Sequence, residues 1–321
     1  MGIRIISTGA YLPSHIETVQ AQTNPSSNAN PELAALFTGA REHRLCQDFE
    51  TPVYMGIQAG RNALANGDID PKSIDVVLCY SAVEDHMTPK GVYGMLPELG
   101  CDGAMAWSID TACASFLSHL NCANALALSG KKRVLIIESM NWANRAFDSE
   151  QRLSGPGSLV GDGAGAAIVE AVSGRGSIIA SVEKTSALDF DFIKMNSAQV
   201  TGNREHLVFT NSHKIIHRAF SILPQTAQEL LAKNGLRPTD VTWTFTHQPG
   251  VTAILKWHEM LDMPLEKNLN TFAMYGNMSA ANIPVTFHHY LTVEPRIRRG
   301  DIILAFTAGA GIHCAATLIE Y

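Results

Sequence analysis

The sequence predicts an α/β protein of stacked sheets and helices in which one architectural unit occurs twice. Three observations predict it. Apolar, β-branched runs recur along the chain, at Ile74-Asp75-Val76-Val77-Leu78-Cys79, Arg133-Val134-Leu135-Ile136-Ile137-Glu138 and Asp301-Ile302-Ile303-Leu304-Ala305-Phe306, each the length of a short buried strand. Helix-length stretches separate them, the alternation expected where helices cover both faces of a sheet. Finally, two segments of the first half are echoed, in order, in the second.

The first echo pairs Ala63-Leu64-Ala65-Asn66-Gly67-Asp68-Ile69-Asp70-Pro71 with Leu231-Ala232-Lys233-Asn234-Gly235-Leu236-Arg237-Pro238, allowing one inserted residue; both read as helix end, proline turn, strand. The second pairs Gly161-Asp162-Gly163-Ala164-Gly165-Ala166 with Ala308-Gly309-Ala310-Gly311-Ile312-His313. Helix-turn-strand junctions resemble one another in any α/β protein, so either match alone is weak, whereas two in the same order suggest a duplication. The offset is shorter for the second pair, which implies an insertion in the N-terminal half, expected at about Glu84 to Gly103. The halves are expected at 1–172 and 173–321, as one compact unit, since no low-complexity linker divides the chain.

Composition narrows the class. A chain of 321 residues, 46% hydrophobic, buries a large core and has the length of about two domain-sized units. Its 24 basic and 30 acidic residues form no long run of either sign, which argues against a nucleic-acid partner. No stretch reaches the length of a membrane span, and the apolar run at Met1–Gly9 is too short for a signal sequence, so a cytoplasmic protein is expected. The six cysteines include no Cys-x-x-Cys pair, so neither a disulfide framework nor a zinc knuckle is expected, and no metal site.

Three short segments carry chemistry. Cys113, in Asp110-Thr111-Ala112-Cys113-Ala114-Ser115-Phe116, follows an expected strand (Ala104 to Ile109) and opens a helix whose Phe116, Leu117, Leu120 and Leu126 share a face, with Gly130 as its stop. A thiol at a helix N-terminus faces unpaired N–H groups and the positive end of the dipole, which favour the thiolate. Free cysteine is also among the most buried residue types, so an inert core thiol is the competing reading. His247, in Phe245-Thr246-His247-Gln248-Pro249-Gly250, stands where a strand gives way to a loop. Asn277, in Tyr275-Gly276-Asn277-Met278-Ser279-Ala280-Ala281-Asn282, reads alone as turn chemistry.

Taken together and in order, these segments resemble the ketoacyl synthase III family, the condensing enzymes that start fatty-acid and many polyketide chains. Ser7-Thr8-Gly9-Ala10-Tyr11-Leu12-Pro13, Thr38-Gly39-Ala40-Arg41-Glu42, Gly161-Asp162-Gly163-Ala164-Gly165-Ala166 and the terminal Gly309-Ala310-Gly311 extend the resemblance nearly end to end. It implies a duplicated five-layer thiolase fold (αβαβα) acting as a homodimer. It implies that Cys113 accepts an acyl group from an acyl-coenzyme A or acyl carrier protein thioester. It implies that His247 and Asn277 stabilise the enolate formed when a malonyl-type or β-keto-acid thioester loses carbon dioxide. The backbone N–H groups of Cys113 and of Gly309, Ala310 and Gly311 would then form the oxyanion hole, with no metal or redox cofactor.

The chain departs from the family where the donor binds. Members carry a Trp and an Arg that sandwich the adenine of coenzyme A, where this chain has Leu33 and Phe37, and an Arg following the histidine motif, where it has Thr252. Members restricted to acetyl primers place Phe before a proline ahead of the cysteine; here Met87-Thr88-Pro89 puts Thr88 there, and with Thr88 reaching the partner subunit's pocket a longer or bulkier acyl group is expected. Lys214 and Arg218, four apart on an expected helix, are a carrier-protein contact or a solvated face. These departures point to a specialised member in polyketide, fatty-acid-derived or alkylquinolone-type biosynthesis. Two alternatives stay open: an acyltransferase that passes the acyl group from Cys113 to an oxygen or nitrogen nucleophile without decarboxylation, and a subunit of a heteromeric synthase.

Overall fold

The structure, a computed structural model, describes residues 1–19, 39–147, 156–191, 193–196, 206–209 and 212–321. The strands in chain order are β1 (Gly2–Tyr11), β2 (His15–Thr18), β3 (Glu42–Leu45), β4 (Val76–Ser81), β5 (Met105–Ser108), β6 (Arg133–Met140), β7 (Gly163–Val172), β8 (Ile178–Thr185), β9 (Ile193–Asn196), β10 (His206–Phe209), β11 (Trp243–Thr246), β12 (Ile302–Gly309) and β13 (His313–Glu320). The helices are α1 (Pro52–Asn66), α2 (Val92–Leu99), α3 (Ser115–Leu128), α4 (Trp142–Ala146), α5 (Ser212–Lys233), α6 (Val251–Met260), α7 (Phe272–Tyr275) and α8 (Asn282–Thr292).

Two sheets organise the molecule, one in the order β1-β7-β6-β4-β5 and one in the order β8-β13-β12-β11. They share one wiring. β4 runs parallel to β6, β6 antiparallel to β7, and β7 antiparallel to β1; β11, β12, β13 and β8 repeat those three relations. The echoed segments fall on matching parts: each proline heads a one-turn helix, Pro71–Ser73 or Pro238–Asp240, that leads into β4 or β11.

Period-2 alternation distributes the apolar side chains of these strands between layers. On β4, Val76 and Leu78 face the central core while Val77 and Cys79 face the outer one; on β12, Ile303 and Ala305 face inward and Leu304 and Phe306 outward. The central core is filled by α3 and α8, whose Phe116, Leu117, Leu120, Ile283 and Phe287 are buried between the two sheets. α1 and α2 cover the outside of the first sheet, and α5 and α6 the outside of the second. The result is five layers, helix-sheet-helix-sheet-helix. α3 has the buried face expected of it, and Gly130, at φ 92°, lies just beyond its end.

One expectation is corrected. The stretch from Glu84 to Gly103, which carries α2, is not where the first half is longer. β6 ends at Met140 and β7 begins at Gly163, whereas β12 ends at Gly309 and β13 begins at His313. The extra chain is the β6–β7 connection, which contains α4 and a turn at Pro156–Leu159. Two flanking echoes fix the total length between them and not the position of the excess within it.

Candidate active site

The C-terminal ends of β4, β6, β11 and β12 lie toward a cavity of about 480 Å³ whose lining includes Cys113, His247, Asn277, Gly309 and Ala310. Cys113 stands in a single 3₁₀ turn, Ala112–Ala114, that leads directly into α3. Ala112 adopts φ 51°, a left-handed backbone that costs an alanine on the order of 1–2 kcal/mol. The local sequence holds it there: Asp110 Oδ1 accepts the Ala112 N–H at 2.8 Å, and Ser115 Oγ donates to the Ala112 carbonyl at 2.8 Å while accepting the Thr111 N–H at 3.0 Å. The Cys113 carbonyl accepts the Thr307 hydroxyl at 3.0 Å, tying the turn to β12. Gly309 ends that strand so close to the turn that a Cβ would lie 2.2 Å from the Thr111 oxygen, so only glycine permits the approach.

The helix terminus does not leave Cys113 as a thiolate. Burial pushes its thiol from the ordinary 9.0 up to about 11, against the lowering effect of the hydrogen bond with Ser279, whose Oγ is 3.1 Å from Cys113 Sγ. Cys113 is only half-buried beside the cavity, yet the protein packed around it disfavours the anion more than that hydrogen bond favours it. The resting nucleophile is a thiol, and its proton must leave as the acyl group arrives.

His247 extends β11 by one ladder position, its N–H donating to the Phe306 carbonyl at 3.1 Å. Burial lowers its imidazole to about 4, so the ring is neutral at pH 7, and Nδ1 has no hydrogen-bond partner among the described residues. Gln248 anchors the loop behind it, donating from Nε2 to Thr286 Oγ1 at 2.8 Å and accepting the Thr271 N–H at 3.1 Å. Asn277 is held from the β6–β7 connection. Its N–H donates to the Leu159 carbonyl at 2.6 Å, and its carbonyl accepts the Gly161 N–H at 3.0 Å and Trp142 Nε1–H at 3.2 Å. Its side-chain Oδ1 accepts the Ser279 N–H at 2.9 Å. A backbone N–H can only be met by the amide oxygen, so that bond sets the orientation of the amide and turns its NH₂ donor elsewhere.

Sequence reasoning missed Ser279. It has φ 51° and heads the turn Ser279–Ala281 that runs into α8, just as Ala112 heads the turn that runs into α3. Ala280 thus occupies the place in the second half that Cys113 occupies in the first. The signal was present in Ala112-Cys113-Ala114-Ser115 beside Ser279-Ala280-Ala281-Asn282, a third echo hidden by the change of its central residue. Asp162 was noticed only as part of a motif; it is buried and accepts the N–H groups of Cys46 at 3.0 Å and Ala143 at 2.8 Å.

The expected donor-binding residues are scattered. Leu33 and Phe37 lie outside the described residues. Thr252 stands in the first turn of α6, and among the described residues this end of the cavity is lined by Pro249 rather than by Thr252. Thr88 is exposed and does not line its own chain's cavity, as the described residues define it. Gly311, at φ 77°, turns the β12–β13 hairpin, while Gly309 and Ala310 line the cavity. Lys214 and Arg218 both fall on α5; the Lys214 side chain lies outside the described residues, and Arg218 is exposed and paired with Asp189 at 3.7 Å.

Two sheets of shared wiring, with a cysteine, a neutral histidine and an oriented asparagine on one cavity, define a thiolase-fold condensing enzyme. Residues 108–187 match the family described as 3-oxoacyl-(acyl-carrier-protein, ACP) synthase III, and residues 231–321 match the family described as its C terminal, together just over half of the chain. The β-ketoacyl-(acyl-carrier-protein) synthase III of Aquifex aeolicus strain VF5 is 28% identical over 329 residues, with 100% of both chains covered. That of Actinobacillus succinogenes is 27% identical over 321 residues, again with 100% of both covered. The crystal structure of 3-oxoacyl-(acyl-carrier-protein) synthase III from Aquifex aeolicus VF5 superposes with a TM-score of 0.87 at 27% identity, covering 100% of both chains. The chain belongs to the ketoacyl synthase III-like family of the thiolase superfamily and is an acyltransferase of that kind.

Proposed function

We propose that the chain catalyses a decarboxylative Claisen condensation in two half-reactions. In the first, Cys113 Sγ attacks the carbonyl of an acyl thioester, the thiol proton passes to the departing thiolate, and the acyl group remains on Cys113. In the second, a malonyl-type or β-keto-acid thioester loses carbon dioxide. The resulting enolate attacks the acyl carbonyl, a new carbon–carbon bond forms in the product, and Cys113 leaves as a thiolate that takes up one proton from solvent to restore the thiol. Acid–base and electrostatic chemistry suffices, so the reading needs no metal or redox cofactor.

The observation that carries this reading is the orientation of Asn277. With Oδ1 committed to the Ser279 N–H, its amide turns its NH₂ donor elsewhere, and a neutral His247 lines the same cavity. Two uncharged donors on one cavity suit an enolate oxygen, the charge that decarboxylation creates. Acyl transfer to a hydroxyl or amine could use His247 as a base but creates no enolate for the Asn277 donor to stabilise. The backbone N–H groups of Cys113 and of the Gly309-Ala310-Gly311 turn are proposed to hold the tetrahedral intermediates, with residues 1–172 supplying the nucleophile and 173–321 supplying His247 and Asn277.

The donor is proposed to be an acyl-coenzyme A or acyl carrier protein, within a specialised polyketide, fatty-acid-derived or alkylquinolone-type route, because Thr252 stands where the family's arginine is expected. Cys79, Cys101, Cys113, Cys122 and Cys314 form no disulfide, which fits a cytoplasmic protein. A homodimer is supported by β5, an edge strand of the first sheet that exposes Met105 and Trp107.

A panel of acyl-coenzyme A and acyl-carrier thioesters, followed by intact mass, identifies the donor that loads Cys113. Malonyl thioester is then added. Carbon dioxide release with a lengthened product supports condensation; acyl transfer to an added alcohol or amine without it supports the acyltransferase alternative. Cys113→Ala abolishes loading. Asn277→Ala leaves loading intact and slows decarboxylation roughly a hundredfold, the effect of losing one oxyanion donor.

A further inference from the structure

We infer that Glu183 is a positioning residue that fixes the spacing between the nucleophile turn and the oxyanion turn, an inference that rests on the roles proposed above for Cys113 and the Gly309-Ala310-Gly311 turn. Glu183 lies on β8 and touches neither turn. Its carboxylate gathers three donors from two elements: Ser118 Oγ to Oε2 at 3.0 Å and Asn121 Nδ2 to Oε1 at 3.1 Å, both from α3, and His313 Nε2 to Oε2 at 2.9 Å, from the start of β13. A carboxylate accepts only, so His313 Nε2 carries the hydrogen, and the donors hold Glu183 below its usual range, the His313 bond foremost.

Each donor leads back to the site. Ser118 Oγ also accepts the Thr111 hydroxyl at 3.0 Å, and Thr111 lines the cavity two residues ahead of Cys113. His313 sits directly across the hairpin from Gly309, paired with it on β12 and β13, and its Nδ1 is 2.8 Å from Thr185 Oγ1 on β8. The Gly309 backbone presses against the Thr111 carbonyl. The contacts therefore close a ring: Thr111, Ser118, Glu183, His313, Gly309 and Thr111 again. An oxyanion hole with one donor on Cys113 and another on the hairpin works only if the separation of the two is fixed to within a few tenths of an ångström. The ring supplies that constraint from outside the cavity, where one carboxylate ties the helix that follows one donor's turn to the hairpin that carries the other. A merely decorative surface pair would make one bond and have no such path.

The test separates two reactions of the same thiol. Alkylation of Cys113 by iodoacetamide needs the sulfur but no oxyanion hole; acylation by the thioester donor needs both. Glu183→Ala is expected to be alkylated at the wild-type rate and acylated at least tenfold more slowly. Glu183→Gln, which keeps one acceptor oxygen, is expected to recover part of the loss. Ser118→Ala, which cuts the ring while leaving the carboxylate in place, is expected to show the same split, smaller in size, and covers the case in which Glu183→Ala folds poorly. Variants acylated as fast as wild type overturn the inference, as does a parallel fall in both rates, which would mean that the thiol itself has been displaced. A wild-type chain alkylated at Cys113 but acylated by no thioester overturns instead the reading of the preceding subsection, and this one with it.

Discussion

At Cys113 two influences oppose one another. The turn that leads into α3 sets the Cys113 backbone N–H beside the sulfur, which favours the thiolate, while burial pushes the thiol up to about 11. Burial wins, and the consequence is measurable. The rate of Cys113 alkylation, followed by peptide mass, should rise about tenfold per pH unit from pH 7 to about pH 10, as the thiolate fraction does. A plateau near pH 7 would show that the helix terminus prevails. His247 sits on the other side of neutrality: with its imidazole lowered to about 4, it stays uncharged across that whole range and adds no inflection. At this scale the sequence was informative about identity and silent about state. Cys113, His247 and Asn277 stand in segments whose residue order points to one family. Whether the thiol rests charged depends on which residues enclose it, and Ser279, distant in sequence, is what touches it.

Among the elements, the β12–β13 hairpin and the β6–β7 connection do most to shape the site, and neither was fully legible. Gly309 was anticipated as part of an oxyanion turn, yet its contact with Thr111 arises only once β12 is set beside the turn ahead of α3. Gly309→Ala places a methyl against a backbone carbonyl that has no flexible end to yield, so the hairpin must retreat, and acylation of Cys113 by the thioester should fall roughly a hundredfold. Gly130→Ala is the contrasting case. Its Cβ meets nothing within 4 Å, but the residue stands at φ 92°, so it should lower unfolding stability by about 1–2 kcal/mol and leave acylation rates alone. The β6–β7 connection was misplaced in the sequence because matched echoes constrain length, not location. In the structure it is the part of the first half that reaches across to grip Asn277 in the second, through Leu159, Gly161 and Trp142.

For the whole molecule, the layer architecture was readable because it depends on repeated local rules: β-branched runs buried on both sides, helices between them, and two ordered echoes. Assembly is a further consequence of the same sheets. β5 is 4 residues long and leaves Met105 and Trp107 more than a third exposed on an open edge of the first sheet. The 34.7 kDa chain is expected to behave in light scattering as a particle of twice that mass, and Trp107→Lys to shift it toward the single chain; a wild-type monomer would remove the support for a dimer. The paired left-handed turns at Ala112 and Ser279 have a consequence of another kind. They give both halves the same backbone course into α3 and α8, but one turn carries a thiol and the other a methyl, at Cys113 and Ala280. The asymmetry of the site is therefore written in side chains on a symmetric frame. A duplicated gene could divide its labour by point substitution, one copy keeping the nucleophile and the other surrendering it, without rerouting the chain that brings the two turns together.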